Sequence, residues 1–415
     1  MYRKYLKNSL LYTLSTIISK AIPFLLLPVF TLYLSKEDYG TLGLIMSIAA
    51  IVNIYIGLKP SLFLIVKAPQ LKKTETSQYI FNSFIISIYS FVVIFFILFF
   101  IQSVFFIQIP LYIFFLIAVM SLFLVSNEVL ETIFQVEKKA LNYATYQLLK
   151  VIFSVALALS FIIIFKMGWE GKYFADLIVT ISFAFYAIYY LYKNHYINIK
   201  FDFIKQKELV KYLSPLTFHV LGLVLMSSID RIFLANMVGL EFTGIYTIAY
   251  TIGATVGIVH DSLLKVWSPE FYKRIKNATI ETKIKILKFQ YFYIVGSFFM
   301  FGVFFIIYPY IFHLMVNDKF NSALNIIPII ALGLTFESLR KLFIGYHYNL
   351  GKNTRIAILT LVAGIVNAIL NYILIPTYGI NGAAYATVIA YILVFIFTII
   401  DINIIEKINW RLKND

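Results

Sequence analysis

The chain has 415 residues, 61% of them hydrophobic and only 13% charged, with no cysteine and a net charge of +15. A soluble domain is roughly 45–50% apolar and about 25% charged, so water cannot be the solvent for this surface and a bilayer must be. The absence of cysteine excludes disulfides, thiol catalysis and thiolate metal ligands, and the five histidines include no H-x-x-x-H pair, so neither a metal nor a cofactor is expected.

Apolar stretches of about 20 residues read as membrane helices. In chain order they fall near 9–34, 41–65, 77–103, 111–134, 143–165, 173–192, 212–235, 242–266, 286–312, 323–347, 356–375 and 380–403. The first span is too long for a signal peptide and no small-residue cleavage site follows it, so it is expected to remain a helix. The longest polar stretch, 193–211, separates the sixth span from the seventh. It divides the chain into an N-lobe (1–192), a linker (193–211) and a C-lobe (212–415). The turns after spans one and seven both read E-x-x-G, at Glu37–Gly40 and Glu241–Gly244. That match fits a six-plus-six internal repeat, a known transporter design with the site between halves.

The basic surplus follows the connections rather than a nucleic-acid face, and no nucleic-acid partner is expected. With the N-terminus placed in the cytoplasm, 23 of the 35 Lys and Arg fall on inside segments and 4 on outside loops. The asymmetry places both termini inside and requires an even number of spans. The other eight cations lie within spans: Lys20, Lys59, Lys150, Arg231, Lys265, Lys288, Arg340 and Lys341. A charge at the bilayer centre costs at least roughly 2.5–3.5 kcal/mol, so each is a candidate functional group unless it snorkels to the headgroups. Lys265 and Lys288 lie within a turn of the cytoplasmic ends, where snorkelling is available. Lys59 and Lys150 lie about two turns in, and Lys20 near the middle of its span. Arg340 and Lys341 are also about two turns deep, and Glu337 is spaced to pair with one of them. Asp261 stands four residues before Lys265, which suggests a second intrahelical pair. Arg231 adjoins Asp230, and Glu128, Glu131 and Asp176 are further span carboxylates, able to neutralise cations. The deep set is expected to be net positive and to attract an anion, such as a diphosphate, from the cytoplasmic side. Lys20, Lys59, Arg340 and Lys341, with Lys150 and Lys265 beside them, are the candidate ligands, with Glu337 and Asp261 as charge partners or ion-coupling groups. Pro23 and Pro28 bend or break the first span near Lys20, as a gate or as a fixed kink. Asn367 and Asn371 either touch sugars or bond neighbouring helices.

Five pieces carry a family resemblance: Lys20, Pro23 and Pro28 followed by Leu34-Ser35-Lys36-Glu37-Asp38-Tyr39-Gly40; Tyr212-Leu213-Ser214-Pro215-Leu216 with Asp230-Arg231 and Gly244-Ile245-Tyr246; Trp267-Ser268-Pro269-Glu270-Phe271-Tyr272; Gly351-Lys352-Asn353-Thr354; and the run from Asn371 to Thr387. In this order, across nearly the whole chain, they resemble the bacterial polysaccharide (O-antigen and other repeat-unit) flippases of the multidrug/oligosaccharidyl-lipid/polysaccharide exporter superfamily. The resemblance implies an all-α integral membrane protein with about 12 transmembrane helices in two six-helix lobes, V-shaped around a central cationic cavity. It implies a transporter rather than an enzyme, in the bacterial inner membrane. By alternating access it would carry an undecaprenyl-diphosphate-linked oligosaccharide, with membrane lipids and the polymerase and chain-length proteins of the same pathway as further partners. Lipid II flippases of this superfamily carry cations on the first, second and eighth helices, where Lys20, Lys59 and Lys265 stand here. They also carry two extra helices that this chain lacks, which points away from a peptidoglycan precursor.

Two other functions remain open on the sequence. A multidrug cation antiporter of the same superfamily would favour an acidic lumen. A membrane glycosyltransferase or polymerase would need catalytic carboxylates and a larger outer loop than the roughly ten residues available here. The topology itself is directly testable. A cysteine placed at Asn317 should react with an impermeant thiol reagent added outside intact cells, and one at Asn194 should not; the reverse labelling pattern would overturn the orientation.

Overall fold

A computed structural model describes residues 2–105, 109–275 and 279–406, with the side chains of 2–10, Thr13, Lys20 and 101–105 outside the description. Lys276, Lys407, Arg411 and Lys413 of the inside set therefore lie outside the described residues, as do the side chains of Arg3, Lys4 and Lys7. The described chain is almost entirely helical. The first passage is α1 (Tyr2–Leu25) and α2 (Leu27–Tyr33), parted at Leu26. Pro28 stands in the first turn of α2 and cannot donate a backbone bond, so the helix divides there, whereas Pro23 is carried inside α1. α3 (Lys36–Tyr55) opens on a capping box: Ser35 Oγ accepts from the Asp38 N–H at 3.0 Å and the Asp38 carboxylate accepts from the Ser35 N–H at 2.8 Å. α4 (Pro60–Lys67), α5 (Lys73–Phe105), α6 (Leu111–Val136), α7 (Ala140–Leu159) and α8 (Gly168–Lys193) follow, a π-turn at Ser160–Ile164 prolonging α7.

The second set comprises α9 (Phe203–Met237), α10 (Leu240–Ile275), α11 (Ile280–Met315), α12 (Ile327–Phe343) with α13 (Gly345–Asn349), α14 (Asn353–Tyr378) and α15 (Ile380–Glu406). Eleven helical passages among the described residues are long and apolar enough to cross a membrane. The passage expected at 323–347 is interrupted instead: Asp318–Ala323 forms a 3-10 turn, and α12 alone has 17 residues. Ile344 N–H still donates to Arg340 O at 3.0 Å and Tyr348 N–H to Ile344 O at 3.3 Å, so α12 and α13 together supply one passage over 327–349. The protein is an all-α, multi-pass membrane protein. α9, α10 and α11 overrun their hydropathic spans at the lysine-rich ends, because Lys and Glu remain good helix formers outside the hydrocarbon.

Two compact units divide the chain, Met1–Thr217 and Phe218–Asp415, with the boundary inside α9. In the first, α6 is the central helix, packed against α3, α4, α5, α7 and α8. In the second, α12 packs against α10, α11 and α15, and α15 against α14. The polar stretch after α8 is not a loose tether. Buried Asn82 on α5 donates to Lys200 O at 3.0 Å and accepts from Asp202 N–H and Gln206 Nε2, each at 3.0 Å. Tyr196 OH donates to Glu137, Lys139 Nζ lies 2.7 Å from the same carboxylate, and Lys73 stands 4.5 Å over the Tyr196 ring. Burial opposes the charge on Glu137, but the bonds from Lys139 and Tyr196 prevail and hold its carboxyl below the ordinary range. These contacts mark the basic end of the first unit.

Close backbone approach fixes α9 on α14. A Cβ at Gly222 would stand 2.6 Å from Leu361 N, and one at Gly364 2.9 Å from Gly222 O. Small residues at such crossings let helices pack by van der Waals contact in lipid. Gly222→Ala should therefore destabilise by about 1–3 kcal/mol, the usual cost of overpacking. Gly302→Ala, where an added Cβ meets nothing within 4 Å, should be neutral. Thermal unfolding of detergent-purified protein, followed by size exclusion, separates the two; equal melting curves would contradict the packing account.

Candidate functional site

α6 organises the charges of the first unit. Glu128 and Glu131 are three residues apart, hence on one face. Each takes a lysine from a different passage. Lys59 Nζ lies 2.5 Å from Glu128 Oε1, and Lys150 Nζ 2.6 Å from Glu131 Oε1. All four side chains are partly exposed, Lys59 at 22% and Lys150 at 23%. Lys150 also stands 5.4 Å from the centroid of the Tyr146 ring. Beyond this pair, Asp176 is held by Lys172 at 2.5 Å and by the Ser154 hydroxyl.

Lys59 reaches Glu128 from a broken helix. Gly57, Leu58 and Lys59 have φ of 80°, 55° and 58°, three left-handed residues in succession between α3 and α4. Pro60 begins α4 and disfavours a helical residue before it. Gly57 is required twice over: its φ is positive, and a Cβ would lie 2.4 Å from Ser87 Oγ. Leu58 and Lys59 bear the strain, roughly 1–2 kcal/mol each for a left-handed residue. The side chain of Lys20 lies outside the described residues. Its backbone position is set by register: Tyr12 on α1 packs edge-to-face on Tyr143 of α7 at 5.1 Å. Both helices run away from the basic end, so position 20 stands at the level of Lys150.

The second unit treats its cations differently. Arg340 is 3% exposed and forms two 2.7 Å bonds to Glu337, through Nε and Nη2. It was expected to face a water-filled cavity; it is instead sealed among helices and neutralised one turn along α12. Lys341 pairs with Asp261 on α10 at 2.8 Å. The pairing expected within α10, Asp261 with Lys265, does not form, because Asp261 faces α12 while Lys265 points out of the unit. Lys265 is exposed and has no ion-pair or hydrogen-bond partner among the described residues. Arg231 lies 3.3 Å from Asp230, which also accepts from Tyr246 OH at 2.6 Å. Asn367 and Asn371 are fully buried; Asn367 donates to Met226 O of α9 at 3.3 Å, and Asn371 to Asn367 O at 2.9 Å. Asn367 thus ties α14 to α9, while the Asn371 bond stays within α14.

The span carboxylates are thus each paired locally, although eight span cations against seven carboxylates still leave the spans slightly net positive. All seven span carboxylates (Glu128, Glu131, Asp176, Asp230, Asp261, Glu337 and Asp401) have a cation within 4 Å. Accessible cations remain at Lys59, Lys150 and Lys341, each on a carboxylate it could leave. Sequence reasoning undervalued Glu128 and Glu131; their three-residue spacing was the signal.

Structural likeness covers almost the whole chain. An inward-facing multidrug resistance MATE family transporter of the MOP superfamily has a TM-score of 0.73 and 16% identity, covering 92% of this chain and 94% of that one. The lipid II flippase MurJ, in an inward closed conformation, has a TM-score of 0.71 and 14% identity, covering 95% of this chain and 87% of that one. In sequence, Lsg locus putative protein 1 of Haemophilus influenzae is 23% identical over 282 residues, 66% of this chain and 67% of the relative. The fold is thus that of the MOP superfamily transporters. Residues 5–274 match the polysaccharide biosynthesis proteins, and the chain belongs to that family.

The two kinds of ion pair should respond differently to mutation. Glu337→Gln leaves Arg340 buried without its counter-charge and should cost about 3–5 kcal/mol. Asp261→Asn, at a half-exposed pair, should leave the melting temperature close to wild type. Restoring stability with the double change Glu337→Gln, Arg340→Met would tie the loss to the orphaned charge; failure to restore it would assign the loss to packing.

Proposed function

We propose that this protein is a flippase for a lipid-linked oligosaccharide in the synthesis of a surface polysaccharide. The substrate head is an undecaprenyl diphosphate bearing the repeat unit, collected at the cytoplasmic leaflet and released at the outer one by alternating access. The lysine-rich ends then face the cytoplasm, in the bacterial inner membrane. Family membership supports the polysaccharide pathway. The observation that carries the chemistry is the pair of ion pairs on α6.

Lys59 and Lys150 are lysines on partly exposed pairs rather than arginines in sealed clamps. A lysine is a point charge on a flexible stem, able to leave a carboxylate and follow a phosphate. A diphosphate offers more anionic oxygens than a single carboxylate and competes for both lysines together. When it departs, Glu128 and Glu131 take the lysines back, so neither of these two lysines is left bare in the membrane. Binding can then be selective without being irreversible. Lys20, at the level of Lys150, adds a third charge, and Lys341 and Lys265 of the second unit are secondary candidates. Arg340 with Glu337 is assigned to structure. The division at Pro28 and the break at residues 57–59 lie on the two passages that carry Lys20 and Lys59, and they are the places where those passages can flex.

A multidrug cation antiporter would need carboxylates to spare for its cargo. Each of the seven span carboxylates is already committed to a cation, which favours the anionic substrate.

The test is translocation of a labelled undecaprenyl-diphosphate-linked repeat unit in proteoliposomes. It is paired with accumulation of that intermediate in a deletion strain. Lys59→Gln and Lys150→Gln should each lower transport about 10- to 100-fold, matching the roughly 1.5–3 kcal/mol of a hydrogen bond to a charged group. Lys20→Glu should abolish it, and Lys20→Arg should keep part of it. Glu128→Gln should do the opposite to binding: tighter uptake with slower turnover. Weaker binding in Glu128→Gln would show that Glu128 holds Lys59 in place instead of competing for it. Normal transport by Lys20→Glu would remove the phosphate-handling account.

A further inference from the structure

The second unit carries a groove that none of this function uses. It lies between α10 and α11, has a volume of about 480 Å³, and is walled chiefly by Val266, Trp267, Phe289, Phe292, Gly296 and Phe299. That volume is within the usual 300–1,000 Å³ of ligand pockets. Its floor is rigid: the Trp267 and Phe289 rings are stacked with centroids 3.6 Å apart. Trp267 is 8% exposed, and its indole N–H meets no acceptor among the described residues. Gly296 leaves the wall open, since a Cβ there would touch nothing within 4 Å.

Charge gathers at one end only. Glu270 lies in the lining and bonds Arg274 Nε at 2.6 Å, and Lys285 pairs with Glu281 at 2.7 Å. Lys273 and Lys288 add two further cations, and exposed Lys288 has no partner among the described residues. Two carboxylates against four cations leave this collar positive. From the collar the groove runs along α11 from Phe289 to Met300, about 16 Å at 1.5 Å per residue. That is the depth of one leaflet, half of a hydrocarbon core of ~30 Å.

We infer that this groove is a binding site for an anionic diacyl phospholipid. One acyl chain lies along the aromatic wall, the phosphate sits at the Lys288 collar, and an oxygen of the glycerol ester region accepts from Trp267 Nε1–H. The depth selects a leaflet-length acyl chain over a long polyprenyl tail, and the collar selects negative headgroups.

The reporter is built in. The chain has three tryptophans, so Trp169→Phe with Trp410→Phe leaves Trp267 as the sole fluorophore of the full chain. This protein is reconstituted in phosphatidylcholine vesicles, and phosphatidylglycerol or phosphatidylcholine with brominated acyl chains is titrated in. Quenching of Trp267 should saturate at about a tenfold lower mole fraction for brominated phosphatidylglycerol. Lys288→Gln should erase the headgroup preference while quenching at high brominated lipid persists. Gly296→Phe should remove the saturable quenching for both lipids, with Gly296→Leu as the alternative should Phe lower thermal stability. Equal curves for the two headgroups in the parent would overturn the anionic site. Unchanged quenching in both Gly296 variants would overturn the groove as its location. Displacement by undecaprenyl phosphate at a lower mole fraction than phosphatidylglycerol would reassign the groove to a polyprenyl chain and refute the phospholipid.

Discussion

A charge inside a bilayer must find its counter-charge inside the protein, and that requirement shapes both units of this chain. α6 and α12 each pack against several helices of their units, and they carry three of the carboxylates that meet it, the others standing on neighbouring helices. Glu128 and Glu131 on α6 draw in lysines from the second and fifth passages; Glu337 on α12 holds Arg340 one turn along its own helix. Without these carboxylates, the cations would each carry the full penalty of a bare charge in hydrocarbon. Helix packing in lipid has no hydrophobic drive of its own. Cross-helix pairs such as Lys59–Glu128, Lys150–Glu131 and Lys341–Asp261 therefore also fix which helices sit together.

α6 is the fourth passage of the first unit and α12 the fourth of the second. The two E-x-x-G turns likewise open the second passage of each unit, at α3 and α10. Corresponding places thus hold corresponding devices, an arrangement that fits an internal repeat. These corresponding places differ in access. In the first unit the pairs keep roughly a quarter of their lysine surface exposed; in the second, Arg340 is 3% exposed. A bidentate guanidinium gives up its carboxylate reluctantly, whereas a partly wet ammonium gives it up readily. The Arg340–Glu337 pair is a fixed strut, whereas the α6 pairs, like Lys341–Asp261 of the second unit, retain exchangeable charge.

Hydropathy alone located the passages, since only about 20 apolar residues can bridge the core and few other folds tolerate so many. It could not locate helix ends, because Phe203–Lys211 and Pro269–Ile275 are polar yet helical. Breaks were half legible. Pro28 announced the division at Leu26, but Gly57-Leu58-Lys59-Pro60 looked like an ordinary stretch until three positive φ values appeared there. The cations were easy to find and their partners were not. Glu337 with Arg340 obeys the i, i+3 rule and could be read from spacing. Lys341 with Asp261 is 80 residues apart, so the local alternative, Lys265, looked better than it was. Asn82 gave no signal at all: a lone asparagine in an apolar helix becomes the dock for 200–206 only once the chain has folded back.

The break at 57–59 gives the first unit something a straight helix would lack. A continuous helix would satisfy its own backbone and hold Lys59 at a fixed angle to α6. The left-handed run instead interrupts the ladder, with Leu62 N–H reaching only as far as Lys59 O at 3.0 Å. Such conformations persist only where neighbours over-determine them. Here the neighbours are Ser87 and Val125 against Gly57, and Glu128 on the lysine itself. Packing against Gly57 is permanent, but the Glu128 bond can be surrendered to a stronger anion. The strain is therefore held partly by an interaction that the proposed substrate would remove. A ligand shifts a conformational equilibrium only through differential affinity for its states. An anion that takes Lys59 from Glu128 acts on one of the constraints that keep this helix broken, which links head-group capture to the shape of the second passage without any further device.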